Sequence, residues 1–496
     1  MKATNYTFTV LSIFWGILLA LFLTSIRGLP AQDTKLNFKK SLIKIEVTKK
    51  RYNYMQPWSK QSKKILKTGI VIDSDQILTT AQGMSDMTLV RAQREGRGRW
   101  RSATVKMVDY HANLAILTVE DAEFKSGLEP VTFASVPSAG KEFEIIRWLG
   151  SKLETSKAYF SRYVVAHGNL SFVPYLQLVA TSEISGVGWG EPLVSDGTLH
   201  GILAAKTGDS ASVIPASFIR RILNSTDTGN FRKLGYFDFT WQPGENPTNL
   251  EFLNVPEDQS GVVVVHIPLK KQTSSTLKTG DVILKVAGHA VDSQGDYLDE
   301  DYGHLMFENL ATQGHWAGDA IPILISRNGE LLEIQYTLAS ANYSDQLVPD
   351  RVFDREPEFL IAGGLVFQPL NNEFLRTWGN DWQRRAPMRL VYFNNEEPTE
   401  QTPSLVVLSQ ILPADYNIGY ENYRFLVVEK INGKHIVNLT QLKEAFATKE
   451  NKFHLIEFRK GDALERLVLD AAGLETATQQ ILQMYGISSA ERIYEN

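Results

Sequence analysis

Short apolar runs recur along the first part of the chain, between Ser41 and Ser217, and Gly, Asp and Asn separate them. Typical runs are LIKIEV, TGIVID, ATVKMV, LAILTV, LQLVA and LHGILAA. Regularly spaced short strands of this kind predict an all-β barrel or sandwich. The run from Pro215 to Leu223 has helical spacing and begins with proline, and the polar segment 224–230 predicts a linker. We therefore predict a mainly β domain over residues 41–224.

The remainder of the chain shows one order of elements twice. Residues 234–340 contain the strand-like runs GVVVVHI and DVILKV, a predicted helix over 304–313, and two further strand-like runs. Residues 358–472 repeat this order, with a predicted helix at LTQLKEAF. The shared order predicts two α+β modules related by an internal duplication. Residues 473–496 form a predicted C-terminal tail that is helical from Leu474 to Ile487.

The N-terminus has an uncharged apolar stretch from Val10 to Leu23, after a leader in which Lys2 is the charged side chain. Such a stretch is typical of an export signal. We therefore expect residues 1–31 to be a signal peptide or an N-terminal membrane anchor, and the protein to be exported to the periplasm or cell envelope. Cleavage stays open, because Leu29 stands where a small residue is preferred before the cut.

Composition excludes several chemistries. The chain has no cysteine, which excludes thiol nucleophiles, disulfides and thiolate metal sites, and we expect no cofactor and no metal. Residues 1–106 hold 19 basic and 6 acidic side chains (+13), whereas the rest holds 32 and 50 (−18). The basic stretch from Lys35 to Lys67 predicts either contact with an anionic membrane surface or a solvated basic face. Because no nucleic-acid-binding motif accompanies it, we expect no nucleic acid partner.

Three strings occur in order within the first domain: GIVIDSDQILTTAQGM (69–84), VDYHANLAILTVED (108–121) and SGVGWGEPLVSDGTLHGI (185–202). Together they resemble the trypsin-like domain of the HtrA/Deg serine proteases, and the two later modules are similar to PDZ domains. The resemblance implies a trypsin-like double β-barrel domain followed by two α+β PDZ-like domains, the second of them divergent. It also implies the chemistry of a serine endopeptidase, whose residues must be checked position by position.

The resemblance places the catalytic base at Gln82, the orienting carboxylate at Asn113 and the nucleophile at Trp189 when the turn is aligned on Pro192. An alignment on the start of the turn would place the nucleophile at Gly188 instead. Glutamine has no base that titrates near neutral pH, and asparagine cannot stabilise an imidazolium as a charge would. Neither tryptophan nor glycine is a nucleophile, so the whole triad is degenerate.

The oxyanion turn is altered as well. It contains Gly188, Gly190 and Glu191, and a carboxylate at the last position opposes the stabilisation of developing negative charge. Neighbouring side chains could rebuild a site only if a hydroxyl lay within hydrogen-bond reach of an imidazole. The candidates are His111, Asp109, Ser182, Ser185 and Ser195. We therefore expect no catalytic residue, and Trp189 could instead plug the vacated cleft or pack as an ordinary loop residue.

PDZ domains bind a peptide C-terminus as an added strand, with its carboxylate held by the backbone N–H groups of a glycine-containing loop. In the first module the resemblance assigns this loop to Gly235, Tyr236, Phe237, Asp238 and Phe239. Asp238 stands where glycine is usual, which disfavours carboxylate capture but leaves strand-type binding. In the second module the loop is Gly363, Gly364, Leu365, Val366 and Phe367, and it is either a carboxylate site or a tight turn.

The sequence thus predicts a catalytically inactive HtrA/Deg-type homologue that binds polypeptides or protein C-termini. Its role would be that of a scaffold, a chaperone or a regulator of an active HtrA/Deg relative in envelope protein quality control. The alternative is an active serine-type endopeptidase with a non-standard site. The aromatic segment from Tyr52 to Trp58 resembles those through which family members form homotrimers, and packing within one chain explains it equally well.

Overall fold

The computed structural model describes residues 38–136, 140–226, 232–257, 259–271, 276–447, 452–461 and 464–494. The predicted signal peptide or anchor, residues 1–31, lies outside this part of the chain. Of the helices described, none has both the length and the apolar character to cross a membrane.

Two mostly antiparallel sheets form the first domain. The first has the strand order β5-β4-β1-β2-β3-β7-β6. Its strands are β1 (Leu42–Tyr52), β2 (Lys60–Val71), β3 (Ile77–Thr79), β4 (Met87–Arg94), β5 (Arg101–Ser102), β6 (Thr104–Asp109) and β7 (Leu114–Thr118). Alternate residues Ile43, Ile45 and Val47 of β1 are buried in the core that this sheet encloses, as period-2 patterning predicts.

The second sheet closes into a barrel, because β12 pairs with both β9 and β13. Its strands are β8 (Thr132–Phe133), β9 (Glu142–Leu149), β10 (Lys152–His167), β11 (Pro174–Thr181), β12 (Pro192–Ser195), β13 (Thr198–Thr207) and β14 (Ser210–Pro215). The helix Ala216–Thr226 follows Pro215 directly, and its last turn takes up the first residues of the predicted linker. The mainly β fold class predicted from the sequence is therefore confirmed.

The first PDZ-like module has a central sheet of order β16-β17-β18-β22-β23, with β19 paired to β18. Its strands are β15 (Gly235–Tyr236), β16 (Thr240–Pro243), β17 (Val262–His266), β18 (Val282–Val286), β19 (His289–Ala290), β20 (Asp296–Asp299), β21 (Gly303–Met306), β22 (Ala320–Arg327), β23 (Glu330–Thr337) and β24 (Ala339–Ser340). The predicted helix over 304–313 is wrong at its start. Residues as far as Met306 pair with β20, with His304 exposed and Leu305 buried, and helical structure begins only at Phe307.

The second PDZ-like module has the sheet order β31-β30-β28-β27-β26-β25-β32, with β29 paired to β28. Its strands are β25 (Phe359–Ala362), β26 (Leu365–Pro369), β27 (Val406–Ile411), β28 (Leu426–Ile431), β29 (Lys434–His435), β30 (Phe453–Phe458), β31 (Arg466–Asp470) and β32 (Glu491–Arg492). The helix Leu439–Phe446 has the predicted bounds.

The C-terminal residues are part of this module rather than a separate tail. The helix Leu474–Met484 buries Ile481 and Leu482 against Phe359 and Ile361, and it ends before the predicted Ile487. Strand β32 then pairs with β25 and widens the sheet. The other helices are Phe38–Ser41, Ala122–Lys125, Pro247–Phe252, Leu310–Gln313, Asn372–Leu375, Trp382–Arg385 and Met388–Val391, with 3₁₀ turns at Leu269–Lys271, Phe307–Asn309, Tyr343–Asp345, Arg376–Trp378, Tyr392–Asn395 and Asp415–Asn417.

The segment between the two PDZ-like modules is bound to the barrel domain. The Tyr343 hydroxyl donates to the carbonyl of Leu170 at 2.9 Å, and the Asp354 carboxylate accepts from the Tyr110 hydroxyl at 2.6 Å and from the Asp86 N–H at 2.8 Å. The rings of Tyr110 and Phe353 stack with centroids 3.9 Å apart. These contacts fix both modules relative to the barrels.

The aromatic segment from Tyr52 to Trp58 packs within the chain, against the second PDZ-like module. The rings of Trp58 and Phe359 meet edge to face at 6.0 Å, and Gln368 Nε2 donates to the carbonyl of Tyr54 at 3.0 Å. Packing within one chain thus accounts for Trp58 and for Tyr54, which packs in the same cluster as Phe374 and Leu375, and homotrimer formation stays a prediction.

Candidate functional site

The positions assigned to the base and the carboxylate lie next to each other, because β3 pairs with β7. Gln82 follows β3 and Asn113 precedes β7. The Asn113 side chain is buried and its Oδ1 accepts the backbone N–H of Gln82 at 3.0 Å. Asn113 has a φ of +53°, a left-handed conformation that asparagine tolerates better than most residues. The pair therefore shapes the loop through a neutral hydrogen bond and carries no ionisable group.

The turn that would hold an oxyanion is filled by a carboxylate of the chain itself. Glu191 is 3% exposed, and its Oε2 accepts the backbone N–H groups of Gly188 and Trp189, each at 2.8 Å. Gly190 has a φ of +97°, and a Cβ there would lie 2.5 Å from the Thr68 carbonyl oxygen. The turn is thus closely packed, and the N–H of the nucleophile position already has a charged acceptor.

A buried lysine, Lys67 of β2, lies beneath this turn. Its Nζ donates to Thr80 Oγ1 at 2.7 Å and to the Gln82 carbonyl at 2.5 Å, and it lies 5.7 Å from the centre of the Trp189 ring. Burial lowers the pKa of Lys67 to about 7, against the opposing effect of the Glu191 carboxylate. Lys67, Trp189 and Glu191 thus lie close together at the turn to which the resemblance assigns the nucleophile.

In the sequence, Lys67 stands out only as the last residue of a basic stretch. The burial of Lys67 could have been predicted from its cross-strand partner. Lys67 pairs with Ile45 across the β1–β2 hairpin, and Ile45 is completely buried.

The structure brings His111 to a serine other than those considered. Its Nδ1 lies 2.9 Å from Ser171 Oγ, which also accepts the Val173 N–H. Ser171 is 5% exposed, and burial lowers the pKa of His111 to about 4, with Lys233 adding to the effect. Asp109 Oδ1 accepts the backbone N–H of His111 rather than a ring N–H. This arrangement supplies neither an accessible hydroxyl nor a base that titrates near neutral pH.

The serines considered from the sequence bind elsewhere. Ser182 Oγ donates to the Lys157 carbonyl at 2.7 Å, and Ser195 Oγ donates to Asp196 at 3.1 Å. Ser185 is exposed near the turn, and within the described part of the chain it forms no hydrogen bond with an imidazole. None of them forms a pair with His111.

In the first PDZ-like module the assigned loop borders a cavity of about 830 Å³. Gly235 and Tyr236 pair with β24, and the phenyl rings of Phe237 and Phe239 are buried in the core. The Asp238 carboxylate accepts the Tyr336 hydroxyl. The loop is therefore open on one side, but it presents a carboxylate where a peptide carboxylate would have to bind.

In the second module the assigned loop, Gly363 to Phe367, is buried. The Gly363 N–H donates to Thr478 Oγ1 at 2.8 Å, and Asn417 Nδ2 donates to the Gly363 carbonyl at 2.9 Å. A Cβ on Gly364 would lie 2.3 Å from Asn417 Nδ2. The expectation of a carboxylate site in this loop is therefore wrong, because the C-terminal helix covers the loop. The loop forms a tight turn instead.

The strand edge of the second module is also occupied. Strand β26, which follows the loop, pairs with β27 on one side and with β25 on the other, and β32 pairs with β25 in turn. Lys443 of the neighbouring helix forms an ion pair with Glu491 of β32 at 2.5 Å. A peptide therefore has no free edge of β26 to pair with, because β25 and β27 occupy both of its edges.

A family model described as PDZ domain matches residues 348–492, which includes the C-terminal helix and β32. Protease Do-like 2, chloroplastic, of Arabidopsis thaliana is 28% identical over 480 residues, covering 93% of this chain and 76% of that protein. Putative protease Do-like 3, mitochondrial, of the same organism is 24% identical, covering 93% and 80%. The solved structure of the HtrA-type protease AlgW with tripeptide covers 61% of this chain and 95% of its own, at 16% identity and a TM-score of 0.47. The chain is a homologue of the HtrA/Deg-family proteases and carries a PDZ domain.

Proposed function

We propose that this chain is a catalytically inactive HtrA/Deg homologue that binds polypeptides through its barrel and PDZ-like modules. Its role is that of a scaffold, a chaperone or a regulator of an active protease in envelope protein quality control. The observation that carries the proposal is the Glu191 carboxylate, which accepts the backbone N–H of Trp189, the residue in the position of the nucleophile.

The size of the expected catalytic loss supports inactivity. Removal of one oxyanion donor raises the barrier by about 3–4 kcal/mol, and here the N–H at the nucleophile position faces a fixed negative charge. A carboxylate in the place of the oxyanion repels the tetrahedral intermediate in addition to blocking its donor. With Gln82 and Asn113 in the other two places, the positions of the base and of the orienting carboxylate hold no group that titrates near neutral pH.

We therefore expect no turnover of unfolded casein and no labelling by a serine-directed fluorophosphonate. The measurement compares fluorescent casein digestion by the purified chain with that by an active HtrA-type protease at equal concentration. Ser185→Ala and His111→Ala variants serve as controls for trace activity. Turnover that disappears in either variant would overturn the proposal.

A second candidate is an active serine-type endopeptidase, and the contact of His111 with Ser171 is the observation in its favour. It requires that Ser171 become accessible, although the residue is 5% exposed and accepts a backbone N–H. We expect Ser171→Ala to leave casein digestion at the background level of the parent chain. A drop from measurable activity to background would favour the endopeptidase.

Export of the chain is part of the proposal, supported by the apolar stretch from Val10 to Leu23. Exposed Lys63 and Lys64 on the β1–β2 hairpin would provide contact with an anionic membrane surface.

A further inference from the structure

The cavity beside the first PDZ-like module has walls from three parts of the chain. The barrel domain contributes His167 and Phe172, and the first PDZ-like module contributes Asp238 and its neighbours. The second module contributes the segment that contains Glu396 and Glu397. The Glu397 carboxylate contacts the His266 ring and accepts the Leu269 N–H at 2.8 Å, which holds that segment against the first module. The cavity is therefore enclosed by three parts of the chain, and direct contacts hold two of them together.

An unoccupied strand edge borders the cavity. Strand β16 pairs with β17 on one side and is the outermost strand of its sheet in the described part of the chain. Thr240, its first residue, is exposed and lines the cavity. An extended peptide could therefore hydrogen-bond to β16 while its side chains enter the cavity. The second module offers no such edge, because β25 covers β26.

The charges of the cavity have one predominant sign. Its lining includes the six carboxylates of Asp238, Glu308, Asp345, Asp350, Glu396 and Glu397. The facing basic groups are Lys270, which lies 3.6 Å from Asp345, and the ring of His167. From outside the lining, Arg376 and Arg351 lie 2.7 and 3.7 Å from Asp350, and the His266 ring contacts Glu397. The surplus is negative after these ion pairs are counted.

Glu308 stands at the start of the helical turn that faces β16. Its Oε1 accepts the indole N–H of Trp241 at 2.9 Å, and burial raises the pKa of this carboxyl above its usual range. A cationic side chain in the cavity would stabilise the charged form. Apolar groups such as Phe172, Tyr236 and Met306 line the same space and fit the aliphatic stems of lysine or arginine.

We propose that this cavity binds an extended internal segment of a client polypeptide in which basic and apolar residues alternate, and that it rejects free C-terminal carboxylates. The proposal rests on the polypeptide binding proposed above and specifies its chemistry. The β16 edge provides backbone hydrogen bonds, and the carboxylates of the lining select cationic side chains.

The test uses the full chain and three labelled peptides of equal length in fluorescence anisotropy. The first alternates Lys and Val with both ends blocked, the second alternates Glu and Val with both ends blocked, and the third alternates Ser and Val with a free carboxylate. We expect the Lys peptide to bind at least about tenfold more tightly than either of the others, and its affinity to fall as salt is raised. Equal affinity for the Glu or the carboxylate peptide would overturn the charge assignment.

A double variant locates the binding. Glu308→Gln combined with Glu396→Gln removes two lining charges and keeps an amide oxygen for the Trp241 indole. We expect the double variant to bind the Lys peptide about tenfold more weakly than the parent chain does. Glu330→Gln, on an exposed hairpin outside the lining, is the matched control and should bind as the parent does. An unchanged affinity in the double variant would overturn the location.

The same samples separate the two proposals. Suppression of the aggregation of an unfolded client reports general polypeptide binding. If the parent suppresses aggregation but does not prefer the Lys peptide, the charge proposal fails while the proposed function stands. If neither the peptides nor the client bind, the proposed function fails as well.

Discussion

Between pH 7 and pH 9 the free energy of unfolding should rise by about 2 kcal/mol through Lys67 alone. Burial lowers the pKa of this amine to about 7 in the folded chain, below its ordinary value of 10.5. The unfolded chain therefore binds the proton more tightly, and stability rises with pH in the window between these two values. Below about pH 7 both states hold the proton, and the full cost of burying the charge remains.

The measurement is urea unfolding of the parent and of Lys67→Met at several pH values in this range. Methionine fills a similar volume and does not titrate, so the parent curve should rise relative to that of the variant. Lys63→Met, at an exposed position of the same strand, is the control and should keep the parental slope. Parallel curves for the parent and Lys67→Met would contradict the assignment of a neutral amine beneath Trp189.

Ile481→Ala should destabilise the second PDZ-like module by about 2–5 kcal/mol. The side chain is 1% exposed and packs in one cluster with Phe359, Ile361 and Val366, the residues that flank the glycine turn. Its truncation leaves a cavity between the C-terminal helix and the strands that this helix covers.

Denaturant unfolding and limited proteolysis of the variant measure this effect. Gln479→Ala, an exposed substitution on the same helix, is the control and should change stability by less than about 0.5 kcal/mol. Equal stability of the two variants would show that the helix is a dispensable appendage. The expected loss of stability would show instead that the helix is an integral part of the module.

The sequence predicted the mainly β fold, and it assigned Gln82 and Asn113 to the ends of two short strands that the structure pairs, because local strings mark these positions. The assignment of Trp189 to the position of the nucleophile stays a prediction. The sequence could not predict that Glu191 turns its carboxylate back onto the N–H of Trp189, which depends on the path of a tight turn. The burial of Gly363 could not be predicted from local sequence patterns either. Its hydrogen-bond partners Asn417 and Thr478 lie 54 and 115 residues away along the chain. Lys67 was missed because charge suggested exposure, whereas its place opposite Ile45 decides its burial.

The attachment of the intermodule segment to the barrels determines how the chain can be divided for experiments. Tyr343 and Asp354 are anchored on the barrel domain, and the cavity beside β16 takes its walls from the barrel, the first module and the second. An excised first PDZ-like module would lose two of those walls and would have to order its ligand without them, which weakens binding. Affinities measured on single modules should therefore understate those of the intact chain, and recognition is a property of the three modules assembled together.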